Sequence, residues 1–298
     1  MSTAPFDSRQ RTVAAVALAI LAVSFGAIPL IVRAGIPATH LVAMRVTLGA
    51  LVLVAFAVVA GRFRVPTTER GRLVLLGVLL SAHWLTFFLA IQLTTVAVAL
   101  AVVYTGPIIA AVLSGPVLGE RNFGSAWIGL ALAAGGMLVV VRPASGATLD
   151  GVAMAMVSAL LFAALFLVGK PLASVLGGLA VATWEAVVAS IVLAPFTVQA
   201  VRESSEFWRE FLILGVVFTG IAGVIWWGSM RRLPVAVVSV IMYLEPASAV
   251  VWAAFFLDES PEPLTWLGVG LVIAGGVVAG VGATQAAQVF ADEKHPAV

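Results

Sequence analysis

Tyr104-Thr105-Gly106-Pro107 and Tyr243-Leu244-Glu245-Pro246 stand 139 positions apart. The same offset carries Leu118-Gly119-Glu120 onto Leu257-Asp258-Glu259, and Trp127-Ile128-Gly129 onto Trp266-Leu267-Gly268. Several matches at one gapless offset point to an internal duplication. Both copies are hydrophobic, so the solvent of the fold has to be decided first.

The chain is 62% hydrophobic and 10% charged, with a mean hydropathy of +1.15. Soluble domains carry about 25% charged residues. A soluble protein of 298 residues could not hide so much apolar surface, and lipid is its natural solvent. A net charge of +2 with scattered basic residues speaks against a nucleic-acid partner. The absence of cysteine excludes disulfides, thiol nucleophiles and thiolate metal sites. Arg9 and Arg11 before an apolar run imitate a signal peptide. The run from Thr12 to Val32 is too long for a signal core, and no clear small-residue cleavage site follows, so it reads as a retained first helix.

A membrane helix needs about 20 mainly apolar residues. Ten stretches qualify: roughly 12–32, 38–60, 71–91, 94–115, 123–141, 149–169, 177–200, 208–229, 234–257 and 263–283. Charges or turn residues mark the breaks, as at Arg62 to Arg72, Arg142-Pro143, Arg231-Arg232 and Asp258 to Pro263. The tightest break is Gln92-Leu93-Thr94, and the repeat supports it, since Gln92 falls opposite Arg231.

With the N-terminus inside, the cytoplasmic segments hold Arg9, Arg11, Arg62, Arg64, Arg70, Arg72, Arg121, Lys170, Arg231, Arg232 and Lys294. The outer segments hold Arg33, Arg142, Arg202 and Arg209. This excess of positive charge predicts that both termini are cytoplasmic. Five helices per copy is an odd number, so the second copy enters the membrane upside down. Inverted repeats predict alternating access around a site near the bilayer midplane. The expected fold is an all-α membrane protein of ten transmembrane helices in two inverted repeats, 1–145 and 146–285, with a cytoplasmic tail at 286–298.

These features resemble the drug/metabolite transporter superfamily and, within it, the ten-helix EamA-type carriers. The first signature is Pro107, Leu118-Gly119-Glu120, Gly129 and Gly135-Gly136; the second is Leu244-Glu245-Pro246, Leu257, Glu259, Gly268 and Gly275-Gly276. The resemblance covers nearly the whole chain. It departs from the pattern at Asp258, where glycine is usual. The nearest resemblance within the group is to the bacterial aromatic amino acid exporters. It implies an inner-membrane carrier working outward on a small-molecule substrate. Members of the superfamily carry amino acids, sugars, nucleotide-sugars and drugs, so it does not fix the substrate.

Few polar residues lie at membrane depth. Arg45 is the only basic residue deep in a span, about 10 Å into the second helix. It is either a ligand for a substrate carboxylate or an arginine reaching back to the interface. Glu185 sits at a similar place in the seventh helix, the inverted counterpart. It could meet an amino group or a proton, or pair with polar neighbours near the inner surface. Glu245, opposite Gly106, precedes Pro246, whose missing N–H frees a carbonyl one turn earlier; Pro107 does the same in the fourth helix. Broken backbone at depth is tolerated beside a cavity or inside protein. Tyr104-Gly106-Pro107 and Tyr243-Glu245-Pro246 are therefore expected to face each other across the pathway, with Gly106, Pro107 and Pro246 as bending points. Glu245 could instead be a buried structural acid.

His83 is the only histidine deep within a span, and a polar ring at depth usually faces the interior. His83 and Phe87 share one helix face, as do Trp84 and Phe88. The phenylalanines read as packing or lipid contacts, and Trp227 as part of an interfacial aromatic belt. Gly129, Ala133, Gly135, Gly136, Gly268, Gly270, Gly275, Gly276 and Gly280 read as close helix packing, within the fold or in a homodimer.

An enzyme is poorly supplied. Asp7, Asp150, Asp258 and Asp292 fall in loops or tails, and no HExxH occurs. No cofactor and no metal site are expected. A channel leaves the duplicated prolines unexplained. The candidate substrate-binding residues are Arg45, His83, Trp84, Tyr104, Glu185, Tyr243 and Glu245. One arginine, a few acids, a histidine and aromatics suit a small zwitterion such as an aromatic or other neutral amino acid. Several phosphates would want more cations. Efflux of hydrophobic or cationic drugs is the alternative.

Overall fold

The computed structural model describes residues 7–32, 35–120, 124–141, 148–256 and 263–294. Arg33, Arg121, Arg142, Leu257, Asp258 and Glu259 lie outside the described residues, as does the side chain of Lys294. Regular structure among the described residues is entirely helical. Lipid offers no hydrogen-bond partners, so each apolar run closes its own backbone bonds.

The helices are α1 (Ser8–Phe25 and Ile28–Val32), α2 (Ala38–Val59), α3 (Arg70–Leu93), α4 (Val96–Val103 and Thr105–Leu118) and α5 (Gly124–Val141). They are followed by α6 (Leu149–Leu176), α7 (Gly178–Val192 and Ala194–Glu203), α8 (Ser205–Met230), α9 (Val235–Met242 and Leu244–Phe256) and α10 (Pro263–Lys294). Seven of these are long and apolar enough to cross a membrane, and α7 is an eighth when counted across its bend. α5 and α10 have shorter apolar stretches. The tight break after α3 is held by Gln92, which donates to the Ile36 carbonyl at 2.7 Å and accepts from the Ala38 N–H at 3.1 Å.

α4 and α9 both break at one residue, and the two breaks are repeat mates. Tyr104 interrupts α4 and Tyr243 interrupts α9, each three residues before a proline. Proline lacks the N–H that would reach back four residues, which frees the Val103 and Met242 carbonyls.

Two irregularities have no counterpart in the spans read from sequence. α7 bends by 72° between Val192 and Ala194. Pro195 explains it, because it has no N–H with which to reach the Ile191 carbonyl four residues back. α8 winds as a π-helix from Ile213 to Ile221, and the Thr219 hydroxyl bonds the Leu214 carbonyl five residues back at 2.8 Å.

α5 and α10 pack on each other through glycine. A Cβ on Gly129 would lie 2.6 Å from the Gly275 carbonyl oxygen, and one on Gly136 the same distance from that of Gly268. These close contacts lie within the chain. Gly135, Gly270 and Gly276 have nothing near their Cβ positions. The other eight helices enclose a cavity.

Candidate functional site

The cavity measures about 110 Å³ and is lined from α1, α2, α3, α4, α6, α7, α8 and α9. Arg45, His83, Trp84, Tyr104, Glu185 and Glu245 all lie on its wall. Six of the seven side chains singled out as substrate ligands thus meet in one place. Room for a single water needs about 10–15 Å³ on this kind of measure. The space suits a small solute.

Arg45 is 2% exposed, so it does not reach back to the interface. Its Nε donates to the Thr219 hydroxyl at 3.2 Å and its Nη2 to the Phe218 carbonyl at 2.9 Å. The π-turn of α8 widens the backbone where Phe218 and Thr219 sit, a distortion frequent at functional sites. The guanidinium lies 3.6 Å over the Trp84 ring and 5.4 Å from that of Phe88. Of the two readings, packing or lipid contact, Phe87 and Phe88 take packing: both are buried and line the cavity. Arg45 makes no salt bridge among the described residues. Glu245 attracts it through space, and among the described residues Nη1 has no hydrogen-bond partner. Close packing of Gly49 on Thr219 and of Gly215 on Leu48 brings α2 and α8 together here.

His83 is held by Ser158 of α6. Nδ1 lies 3.0 Å from the Ser158 carbonyl and 2.9 Å from its hydroxyl, and that hydroxyl donates to the His83 carbonyl at 3.1 Å. A carbonyl only accepts, so Nδ1 carries the proton and Nε2 is left for the cavity. The ring stacks on Phe162 at 4.6 Å and on Phe87 at 6.1 Å. Ser158 and Phe162 are site residues that the sequence did not flag.

Glu185 accepts a hydrogen bond from Trp227 Nε1 at 2.6 Å through Oε2, while its Oε1 is buried without a partner. Trp227 is 2% exposed and therefore not part of an interfacial belt. Its ring packs against α6 at Gly169, where a Cβ would run into the indole.

Glu245 and Tyr104 meet at the broken helices. The Tyr104 hydroxyl is buried, and its polar neighbour is the Glu245 carboxyl. Tyr243 stands behind them. It does not line the cavity; its hydroxyl donates to the Tyr104 carbonyl at 2.8 Å, with ring centroids 5.4 Å apart. Gly106 does not face the pathway. Its Cβ position points at the Ala159 carbonyl of α6, 2.5 Å away. The Pro107 carbonyl accepts from the Ser239 hydroxyl of α9 at 2.8 Å.

A second polar cluster closes one end of the helices. Glu120 bonds Lys170 Nζ at 2.6 Å and caps α9 by accepting the Val235 N–H at 2.8 Å. Lys170 also donates to the Leu233 carbonyl. This cluster joins the first copy of the repeat to the second. Among the described residues, no group of His, Asp and Glu could hold a metal ion.

Comparison with known proteins extends these observations. The chain is 28% identical over 239 residues to the threonine/homoserine exporter RhtA of Escherichia coli (strain K12), covering 79% of each chain. It is 27% identical over 241 residues to the RhtA exporter of Salmonella typhimurium (strain LT2), again over 79% of each. It is 25% identical over 285 residues to the uncharacterized transporter YxxF of Bacillus subtilis (strain 168), over 90% of each. A protein crystal structure with 19% identity has the same fold, with a TM-score of 0.76 over 94% of this chain and 99% of the other. The family model of EamA-like transporters matches residues 12–142 and again 149–281, one match for each copy of the repeat. A membrane-embedded duplication with its polar residues gathered around a shared cavity therefore belongs to the EamA-like transporter family.

Proposed function

We propose that this chain is a secondary transporter of the bacterial inner membrane that exports small neutral amino acids by alternating access. Ten crossings are reached when the seven long helices are joined by the bent α7 and by the shorter apolar helices α5 and α10. In this reading the copies, 1–145 and 146–285, are inverted relative to each other, the tail 286–298 is cytoplasmic, and so is the N-terminus. A homodimer contact through α5 and α10 would use Gly135, Gly270 and Gly276.

The observation that carries the reading is Arg45. A buried guanidinium without a salt bridge, on the wall of a cavity shared by both copies, is a site for a carboxylate. The substrate ammonium then faces Glu245, whose carboxyl neighbours the buried Tyr104 hydroxyl. Trp84 and His83 border its side chain. The named exporters of threonine and homoserine, together with the small cavity, move the weight from aromatic towards small hydroxylated amino acids. Efflux of hydrophobic or cationic drugs is the second reading, favoured by the aromatic wall and the two carboxyls.

The test is counterflow by purified protein in liposomes, against a panel of unlabelled amino acids and a few lipophilic cations. Exchange with threonine, homoserine or other neutral amino acids is expected. Exchange with lipophilic cations alone would move the assignment to drug efflux.

A further inference from the structure

We propose that Glu185 is a proton-carrying site, and that its proton couples substrate movement to the proton gradient. The coupling half of this proposal rests on the transporter reading above; the proton half does not.

Glu185 is 5% exposed and belongs to the cavity wall, yet it is equipped differently from Glu245. Glu245 has the Arg45 charge and the Tyr104 hydroxyl as electrostatic neighbours. Glu185 has one neutral donor, the Trp227 N–H on Oε2, and nothing on Oε1. The charged and titratable groups on the elements around it are accounted for. Arg45 on α2 is bonded to Phe218 and Thr219. His83 on α3 is bonded to Ser158. Lys170 on α6 is paired with Glu120. On α8, Arg231 and Arg232 lie beyond Trp227 at the helix end, and Arg232 bonds the Gly228 carbonyl. No hydrogen bond or ion pair joins any of these to Glu185.

A carboxylate buried with one lone N–H donor and no cation costs several kcal/mol, and such a group takes up a proton instead. Oε1 is also closed to solvent, so a substrate ammonium cannot reach it here, whereas a proton needs no room. The assignment is therefore a neutral carboxyl, with the proton on Oε1 and the Trp227 N–H on the carbonyl oxygen Oε2. When the site opens to one face, the O–H bond breaks and its proton passes to water. The carboxylate left behind keeps the Trp227 hydrogen bond, and it is reloaded from water at the other face.

The link to substrate is a chain of rings. Trp227 contacts Trp226 at 6.2 Å, Trp226 stacks on Phe162 at 6.2 Å, and Phe162 stacks on His83 at 4.6 Å. Trp226, Phe162 and His83 all line the cavity. A solute among them bears on the indole that holds the Glu185 carboxyl.

Two measurements on the full chain test this. Infrared spectroscopy of the purified protein at neutral pH is expected to show a protonated-carboxyl band that disappears in Glu185→Gln. In Trp227→Phe the band should persist at higher frequency, because the carbonyl oxygen loses its donor. A carboxyl band indifferent to both substitutions overturns the proton site. In liposomes with an imposed gradient of about one pH unit, one proton per substrate supports about tenfold accumulation of threonine. Glu185→Gln is expected to bring that ratio to about one. Wild-type counterflow of threonine that ignores the gradient overturns the coupling and leaves the transporter reading intact. An infrared band lost in Glu185→Gln, with no amino acid exchanged, leaves the proton site and removes the amino acid reading.

Discussion

The Tyr243 hydroxyl donates to the backbone carbonyl of Tyr104, its own repeat mate 139 positions earlier. A residue that touches its symmetry mate lies near the axis relating the two copies. The relation is one-sided, because the Tyr104 hydroxyl neighbours Glu245 and makes no return bond to Tyr243. One tyrosine thus ties the two helix breaks together, and the other sets its hydroxyl beside Glu245.

Tyr243→Phe should therefore cost more than Tyr104→Phe in folding. The first leaves a buried carbonyl without its donor, a loss of about 1–3 kcal/mol. The second removes a hydroxyl whose polar neighbour is the Glu245 side chain, and it should cost less stability while weakening substrate binding through Glu245. Thermal unfolding of both variants in detergent, alongside threonine exchange, separates the roles. Equal destabilisation would count against this division.

Arg45→Gln is expected to lower affinity for amino acids by about tenfold or more, since a hydrogen bond to a charged group contributes roughly 1.5–3 kcal/mol. Arg45→Lys should recover little. Lysine has no planar fork with which to hold Phe218 and Thr219 while offering a further N–H. The check is threonine uptake by variants that elute as folded protein. A lysine variant with wild-type affinity would show that charge alone suffices.

Several features were legible in the sequence because each leaves a local mark. The duplication is written in Tyr104 and Tyr243, the backbone breaks in Pro107 and Pro246, and the site in the rarity of polar residues at depth. Gathering Arg45, His83 and Glu245 needs no more than the rule that such groups avoid lipid. The π-turn of α8 left no such mark, since it depends on Thr219 bonding back to Leu214 and on the grip of Arg45 across helices. Trp227 was misread because a tryptophan near a helix end has the same sequence appearance at an interface and in a core. Only the glycine on a neighbouring helix, Gly169, distinguishes the two.

Gly169→Ala follows from that contact. The added methyl enters the space of the Trp227 indole, and overpacking of this kind costs about 1–3 kcal/mol. Gly135→Ala is the matched control. Within one chain it has no neighbour to meet, and in the monomer replacing a helical glycine with alanine should be neutral or stabilise by up to about 1 kcal/mol. Paired melting curves decide this, and a Gly169→Ala protein as stable as Gly135→Ala would put the Trp227 packing in doubt.

Pro246→Ala restores an N–H able to reach the Met242 carbonyl and should mend the break at Tyr243. If the helix bends there during transport, exchange slows while substrate affinity stays. Normal exchange by this variant would count against bending at that residue. Pro107→Ala tests the mate in α4, where the Ser239 hydroxyl on the Pro107 carbonyl already restrains the helix.

The Glu120–Lys170 pair holds the two copies together at the end of the helices read as cytoplasmic. Both side chains are mostly buried, at 15% and 14% exposed, so removing one partner leaves a charge with poor solvation. Glu120 also caps α9, so this pair and the start of a pathway helix move together. Lys170→Met should then favour the state open on that side. The chain has no cysteine, and Ala236 is buried in α9 one residue beyond the cap, so Ala236→Cys is a clean reporter. Labelling by a water-soluble thiol reagent from the cytoplasmic face is expected to be at least about tenfold faster in the Lys170→Met background, a shift of about 1.4 kcal/mol. An unchanged rate would mean that the pair holds the fold together without closing the pathway.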